Sequence, residues 1–295
     1  NQENGVVERE EAMEATVAGY ARAQSLPEVF GMLESGGMDA QVIAGGQSLV
    51  ASLNLRLSDS ASLIDIRDIP ELHGITCTNG VLRIGALTRH CDLAASDLVA
   101  EHAPLLTQAV PLIAHAAIRT RGTIGGSLAH ADPAAELPAC VVALGGHVVA
   151  QSARGIRRIA AEDFIEGLFM TALEEGELIT AIELPVIGVD ERHCIRELTR
   201  RSGDYALVGL AGVRRGAAVR LTYFGVGDAP VLAHGAMAVL TEGGTVADAV
   251  AALADDLSPE SDTHASASYR RHLAGVLLAR VMNDLTGQNS QKEAV

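Results

Sequence analysis

Apolar positions along the chain change period repeatedly, and each change marks an element. Between Ser25 and Leu33 the spacing is helical, with Val29 and Leu33 on one face. Ser25 as cap, Pro27 in the first turn and Glu28 completing a capping box predict where that helix starts, and Gly36-Gly37 where it stops. A short strand over 41–44 runs into Gly45-Gly46-Gln47-Ser48, after which Leu49, Val50, Leu53 and Leu57 resume helical spacing. Strands are expected at 62–66, 75–77 and 81–85, the last two joined by an Asn79-Gly80 hairpin turn. Residues 87–118 read as two or three helices broken at Pro104 and Pro111. A second glycine segment at 123–127 precedes a helix over 134–144 and strands at 147–151 and 178–184. Pro185 to Asp190 reads as a linker, with a domain boundary near 187. Beyond it, strands at 193–199, 206–213 and 217–226 are followed by helices at 246–257 and 268–285, an α+β pattern.

Composition narrows the class of protein. The 295 residues, 48% hydrophobic and 20% charged, suffice for a large buried core. The balance of 22 basic against 37 acidic residues, a net charge of −15, argues against a nucleic-acid partner or an anionic membrane surface. The four cysteines, Cys77, Cys91, Cys140 and Cys194, include no C-x-x-C pair, so neither an iron–sulfur cluster nor a structural zinc is expected on this chain. No apolar run approaches ~20 residues and the first residues are acidic, so a transmembrane segment or export signal is not expected and a cytoplasmic location is. Residues 1–15 read as an acidic flexible segment and 288–295 as a frayed tail.

Two glycine segments carry the candidate chemistry. Ala44, Gly45, Gly46, Gln47 and Ser48 lie between a strand and a helix, where side-chain-free backbone N–H groups can approach an anion closely. Thr123, Ile124, Gly125, Gly126 and Ser127 repeat the pattern, and two cradles suit a pyrophosphate better than one phosphate. Neither the G-x-G-x-x-G dinucleotide fingerprint nor the Walker pattern is present. Glu136 stands where a carboxylate could accept from ribose hydroxyls; the alternative is an ordinary acid at a helix start. A β-carbon at Gly46 or Gly125 is expected to crowd the pyrophosphate while leaving the chain folded. His130 and Asp132 could form an acid/base pair, but no catalytic residue is assigned, and no histidine spacing suits a metal.

Residues 43–49, 119–138 and 200–208, taken together, closely resemble the FAD-binding medium subunit of molybdenum hydroxylases, over about 17–285. That family includes the flavoprotein subunits of carbon monoxide dehydrogenase and of N-heterocycle dehydrogenases, and the flavin domain of xanthine dehydrogenase. The resemblance implies an α+β chain with a two-lobed FAD-binding domain of the vanillyl-alcohol-oxidase type over 16–187, its lobes meeting near 75, then a smaller C-terminal α+β domain over 188–287. It implies that both glycine segments hold the pyrophosphate, that Glu136 takes an acidic site near the adenosine ribose, and that Ile179 and Thr180 contact the cofactor. Tyr205 is implied to pack near the isoalloxazine ring, the alternative being a core aromatic of a strand. Gln47 stands where some flavoproteins of this fold link the flavin through His, so noncovalent FAD is implied. Molybdopterin is expected on a large partner subunit and 2Fe-2S clusters on a small one, in a heterotrimer that can pair into a dimer of heterotrimers. The implied activity is electron transfer from those clusters to an external acceptor, with an aromatic N-heterocycle as substrate of the complex. Alternatives are a carbon monoxide dehydrogenase flavoprotein, a stand-alone FAD oxidoreductase and a flavin-free binding module.

Overall fold

A computed structural model describes residues 17–57 and 60–287; the segments expected to be flexible, 1–15 and 288–295, lie outside the described residues. The chain begins with β1 (Val17–Arg22), α1 (Leu26–Gly36), β2 (Ala40–Ile43), α2 (Leu49–Asn54) and β3 (Ser60–Asp65). The strands form a parallel sheet in the order β1-β3-β2, which requires crossovers, and α1 and α2 supply them. Ser25 precedes α1 in extended conformation, but its hydroxyl makes no capping bond; Glu28 instead accepts from the Gln24 N–H at 2.8 Å, so the expected capping box is not formed. Asp65, at the carboxyl end of β3, is fully buried. Burial alone would raise its pKa, but the Arg67 guanidinium at 2.6 Å and the Tyr20 hydroxyl at 2.5 Å outweigh it and hold the group well below the carboxylate range. This carboxylate anchors β3 to β1 and to the turn that follows β3.

The middle of the chain runs β4 (Ile75–Thr78), β5 (Val81–Gly85), α3 (His90–Ala95), α4 (Asp97–His102), α5 (Pro104–Ala109), α6 (Ala116–Arg119), α7 (Ile124–His130) and α8 (Glu136–Ala143). It continues through β6 (His147–Ser152), β7 (Gly155–Ala160), α9 (Ala161–Phe164), β8 (Ile165–Gly167), β9 (Met170–Thr171) and β10 (Leu178–Pro185). Asn79 and Gly80, both at positive φ, make the hairpin turn expected of them. Where two or three helices were expected over 87–118 there are four, because the Ser96 hydroxyl caps α4 and Pro104 opens α5. Five strands, β4-β5-β10-β6-β7, form an antiparallel sheet. Strand β7 escapes its own hydrophobic pattern because Arg157 and Arg158 occupy it, paired at 2.7 Å with Glu177 and Glu183 of neighbouring segments. Both arginines are ion-paired while their side chains stay partly exposed.

The remainder comprises β11 (Glu191–Leu198), β12 (Val208–Arg215), β13 (Ala218–Phe224), β14 (Val231–Leu232), α10 (His234–Thr241), α11 (Val246–Asp256) and α12 (Ala267–Thr286). Its antiparallel sheet, β11-β12-β13-β14, is covered on both faces. Ile195, Ala211, Val213 and Phe224 join the core of the preceding domain, while Val208, Leu210, Leu221 and Tyr223 pack with α10, α11 and α12. Double burial explains why β12 reads as a continuous apolar run. No described helix is long and apolar enough to cross a membrane.

Arg270 of α12 is buried and donates to the carbonyls of Leu207 and Gly225 and, at 2.6 Å, to Asp262. It therefore ties α12 to the start of β12, just after Tyr205, to the end of β13 and to the loop that precedes α12. Arg270→Met would keep the stem but strand three acceptors, and is expected to cost about 3 kcal/mol or more of unfolding free energy in urea denaturation. A loss within ~0.5 kcal/mol, the range of a plain surface substitution, would show that the guanidinium ties nothing.

Candidate functional site

The first glycine loop leaves β2 at the carboxyl edge of the parallel sheet, the place where open α/β sheets bind ligands. Gly46 takes φ +70°, which a side chain would strain. The backbone N–H groups of Gly45, Gly46, Gln47 and Ser48 have no acceptor among the described residues. The Gln47 side chain folds back to donate to the Gly45 carbonyl at 3.0 Å, leaving those amides uncovered. Four consecutive unpaired donors at a strand-to-helix turn have the chemistry of an anion cradle.

The second segment is built differently from the sequence reading. It follows α6 rather than a strand, and its glycines lie inside α7. Residues 86–90 and 122–125 pair antiparallel: His90 N–H donates to the Gly122 carbonyl at 2.9 Å, Ile124 N–H to Thr88 at 3.0 Å, and Gly125 N–H to Ala86 at 2.9 Å. Gly126 N–H donates to the Thr123 hydroxyl at 3.1 Å and Ser127 N–H to the Thr123 carbonyl at 3.0 Å. These four amides are therefore engaged within the chain, leaving the Thr123 and Ser127 hydroxyls as its polar side chains. A β-carbon on Gly125 would sit 2.6 Å from the Ala86 β-carbon and 2.7 Å from its carbonyl oxygen. Gly125 is thus a packing glycine, and the expectation that a larger residue there leaves the chain folded is corrected.

The two segments meet. A β-carbon on Gly45 would collide with the Arg121 carbonyl and stand 3.0 Å from the Gly122 α-carbon, so the loops touch backbone to backbone. Ile179 and Thr180 sit behind this contact, both buried, with the Thr180 carbonyl accepting from Ala86 N–H at 3.0 Å and its hydroxyl donating to the Val149 carbonyl at 3.3 Å. Their side chains face the interior and act on the site through Ala86.

The C-terminal domain packs against the segments on either side of α6 and α7. Gly225 N–H donates to the Pro133 carbonyl at 2.8 Å, and Gly203 lies against the His115 ring. Tyr205 is 67% exposed in the loop between β11 and β12, which removes the alternative of a core aromatic. Desolvation and the neighbouring Asp132 carboxylate raise its hydroxyl above the ordinary value. The Asp132 carboxylate also accepts from Ala134 N–H at 2.8 Å, fixing the loop that leads to Glu136. His130 stacks at 5.1 Å on Phe169 and makes no acid/base pair with Asp132.

Glu136 opens α8 and is buried. Burial, reinforced by Glu197 and Asp132, pushes its pKa up to about 8. Glu197 of β11 is pushed up to about 7 by burial, and its Oε2 has no partner. At neutral pH, Glu136 is therefore largely a protonated carboxyl, able to donate as well as accept. Sequence reasoning missed Ala86, Arg121 and Glu197. Only Glu197 left a signal, as the acid in the His193, Ile195, Glu197 alternation of β11.

Two family models cover nearly all of the chain. The FAD binding domain in molybdopterin dehydrogenase matches residues 13–187, and the CO dehydrogenase flavoprotein C-terminal domain matches 193–285. The chain is 37% identical to the 6-hydroxypseudooxynicotine dehydrogenase complex subunit alpha of Paenarthrobacter nicotinovorans, over 89% of this chain and 92% of that one. It is likewise 37% identical to the caffeine dehydrogenase subunit beta of a Pseudomonas species, over 75% and 77%. A chain of the carbon monoxide dehydrogenase from Hydrogenophaga pseudoflava superposes with a TM-score of 0.90 at 33% identity, over 93% of this chain and 99% of that one.

Because the raised pKa of Glu136 makes the folded chain bind a proton that the unfolded chain releases, its effect has a definite sign. The carboxyl costs nothing below the unfolded value near 4.5, and folding loses free energy as pH rises from there through about 8. Glu136→Gln is expected to remove on the order of 2–4 kcal/mol of that loss, measured as unfolding free energy from pH 5 to 8.5. Identical slopes in both proteins would place the cost on other groups.

Proposed function

The chain belongs to the family of FAD-binding medium subunits of molybdenum hydroxylases, and from that membership we propose that it is the flavin subunit of such a complex. The observation that carries the reading is the row of unpaired amides from Gly45 to Ser48, set against the backbone of Arg121 and Gly122. A pyrophosphate suits such donors, and FAD carries one.

The residues present fit the cofactor. Gly45, Gly46, Gln47 and Ser48 would hold the pyrophosphate through backbone N–H groups, with Ala44 leading the chain into the loop. Thr123 and Ser127 would add hydroxyls, while Ile124, Gly125 and Gly126 keep α7 close enough for them to reach. Glu136, protonated, would offer the ribose both a donor and an acceptor. Ile179 and Thr180 would brace the second segment, and Tyr205 would cover the ring. Gln47 offers no nucleophile for a covalent link, so binding is noncovalent.

Bound there, FAD supplies the redox chemistry, taking electrons from the iron–sulfur clusters of a small partner subunit and passing them to an external acceptor. The chain's own residues bind, orient and shield; none acts as acid or base on the organic substrate. Hydroxylation belongs to a molybdopterin-bearing large subunit, and the assembly is a heterotrimer, alone or paired. We assign 16–187 to the FAD-binding domain, of the vanillyl-alcohol-oxidase type, and 188–287 to the C-terminal domain, in a cytoplasmic protein. Two of the relatives are named for ring-nitrogen compounds, one for caffeine and one for a hydroxylated nicotine derivative, which favours an N-heterocyclic substrate for the complex.

Gly46→Val tests the cradle. The variant is expected to bind FAD at least about tenfold more weakly by titration of flavin absorbance near ~450 nm, with its far-ultraviolet circular dichroism unchanged. Undiminished binding would remove the first loop from the site. Oxidation of an N-heterocycle at full rate by the isolated chain would instead make it a self-sufficient oxidoreductase.

A further inference from the structure

Strand β11 crosses between the two domains and shows a different row of side chains to each. Cys194 and Arg196 turn to α12, where both meet Asp284, at 3.3 and 2.5 Å. Ile195 turns the other way, into the core of the FAD-binding domain, with His193 and Glu197 on the same row. Glu197 stands near the Tyr205 end. His193 stands at the opposite end, with its side chain 1% exposed.

The hydrogen bonds of His193 fix its protonation. Leu105 N–H, in the first turn of α5, donates to Nδ1 at 3.3 Å, so Nδ1 carries no proton. The proton is on Nε2, which donates to Glu191 Oε1 at 2.7 Å. Glu191 is buried and also accepts from Arg215 at 2.7 Å and from Gly188 N–H at 3.0 Å. Gln108 of α5 donates to the His193 carbonyl at 3.3 Å. The neutral ring thus joins the C-terminal sheet to α5 of the other domain, and a proton added at Nδ1 would set N–H against N–H.

We infer that His193 is an acid-sensitive latch between the two domains, holding β11 onto α5 while neutral and releasing it when protonated. The groups that bear on it are few. Glu191 favours the proton and Arg215 opposes it, and α5 offers only the uncharged Leu105 and Gln108; Glu101 and His102 end the preceding helix. Burial dominates and lowers the imidazole below its ordinary 6.5, with Glu191 only partly offsetting it. The sign follows: the released state binds the extra proton, so docking is complete above about pH 6.5 and weakens as pH falls below it.

Amide hydrogen exchange on the full chain, corrected for the intrinsic pH dependence of exchange, tests the latch. Protection of Leu105 N–H and of β11 is expected to be level from pH 8 to 6.5 and then to fall by up to about tenfold per pH unit. His193→Asn, whose Oδ1 accepts where Nδ1 did and does not titrate, is expected to keep protection level down to pH 5. Glu191→Gln, which removes the group favouring the proton in the docked state, is expected to leave the onset near pH 6.5 and to make the fall at least as deep by pH 5. Level protection in the native chain, a fall in the Asn variant that tracks it, or a shallower fall in the Gln variant would each overturn the inference.

Discussion

The site depends on one close approach, that of Gly45 to the backbone of Arg121 and Gly122. No β-carbon fits between them, so the first loop can lie against the second segment only because position 45 is glycine. That contact joins the parallel sheet, which launches the first loop, to the turn between α6 and α7, which opens the second segment. The second segment is immobilised in turn by its pairing with residues 86–90, by the sealed contact of Gly125 on Ala86, and by the bond from Ala86 to Thr180. Rigidity of this kind lets unpaired amides keep their direction without a ligand, which lowers the ordering cost of binding one.

The two glycine segments look alike in sequence and do different work. In the first, the glycines leave amides free; in the second, they allow α7 to sit directly on the 86–90 segment, and the amides are used up in doing so. A single chain cannot bind an anion with donors it has already spent on its own fold, so the division of labour is physical rather than a matter of motif. The C-terminal domain is joined to the neighbouring segments through Pro133, His115 and Asp132, and the carboxyl pair of Glu136 and Glu197 lies where the two domains meet.

Much of this was legible from residues alone. Strong periodicity placed the long strands and the last helix, and Asn79-Gly80 placed the first hairpin, because backbone turn chemistry is local. The glycine loops were legible as candidates because strand and turn flank the first of them. What escaped depended on distant partners. Strand β7 hid behind arginines whose acids lie some twenty residues away, the capping box failed because Glu28 found Gln24 instead of Ser25, and the packing role of Gly125 required knowing that Ala86 faces it. Tyr205 illustrates the other limit: spacing left it between core and surface, and only the fold, by placing it in a loop against Asp132, decided.

We propose that the amides of residues 45–48 bind the cofactor while those of 124–127 only hold the fold. Amide exchange of the full chain with and without FAD separates the two directly. The account predicts that FAD adds protection at Gly45, Gly46, Gln47 and Ser48, and changes little at Ile124, Gly125, Gly126 and Ser127, which are already bonded. Protection gained at 124–127 with none at 45–48 would contradict it.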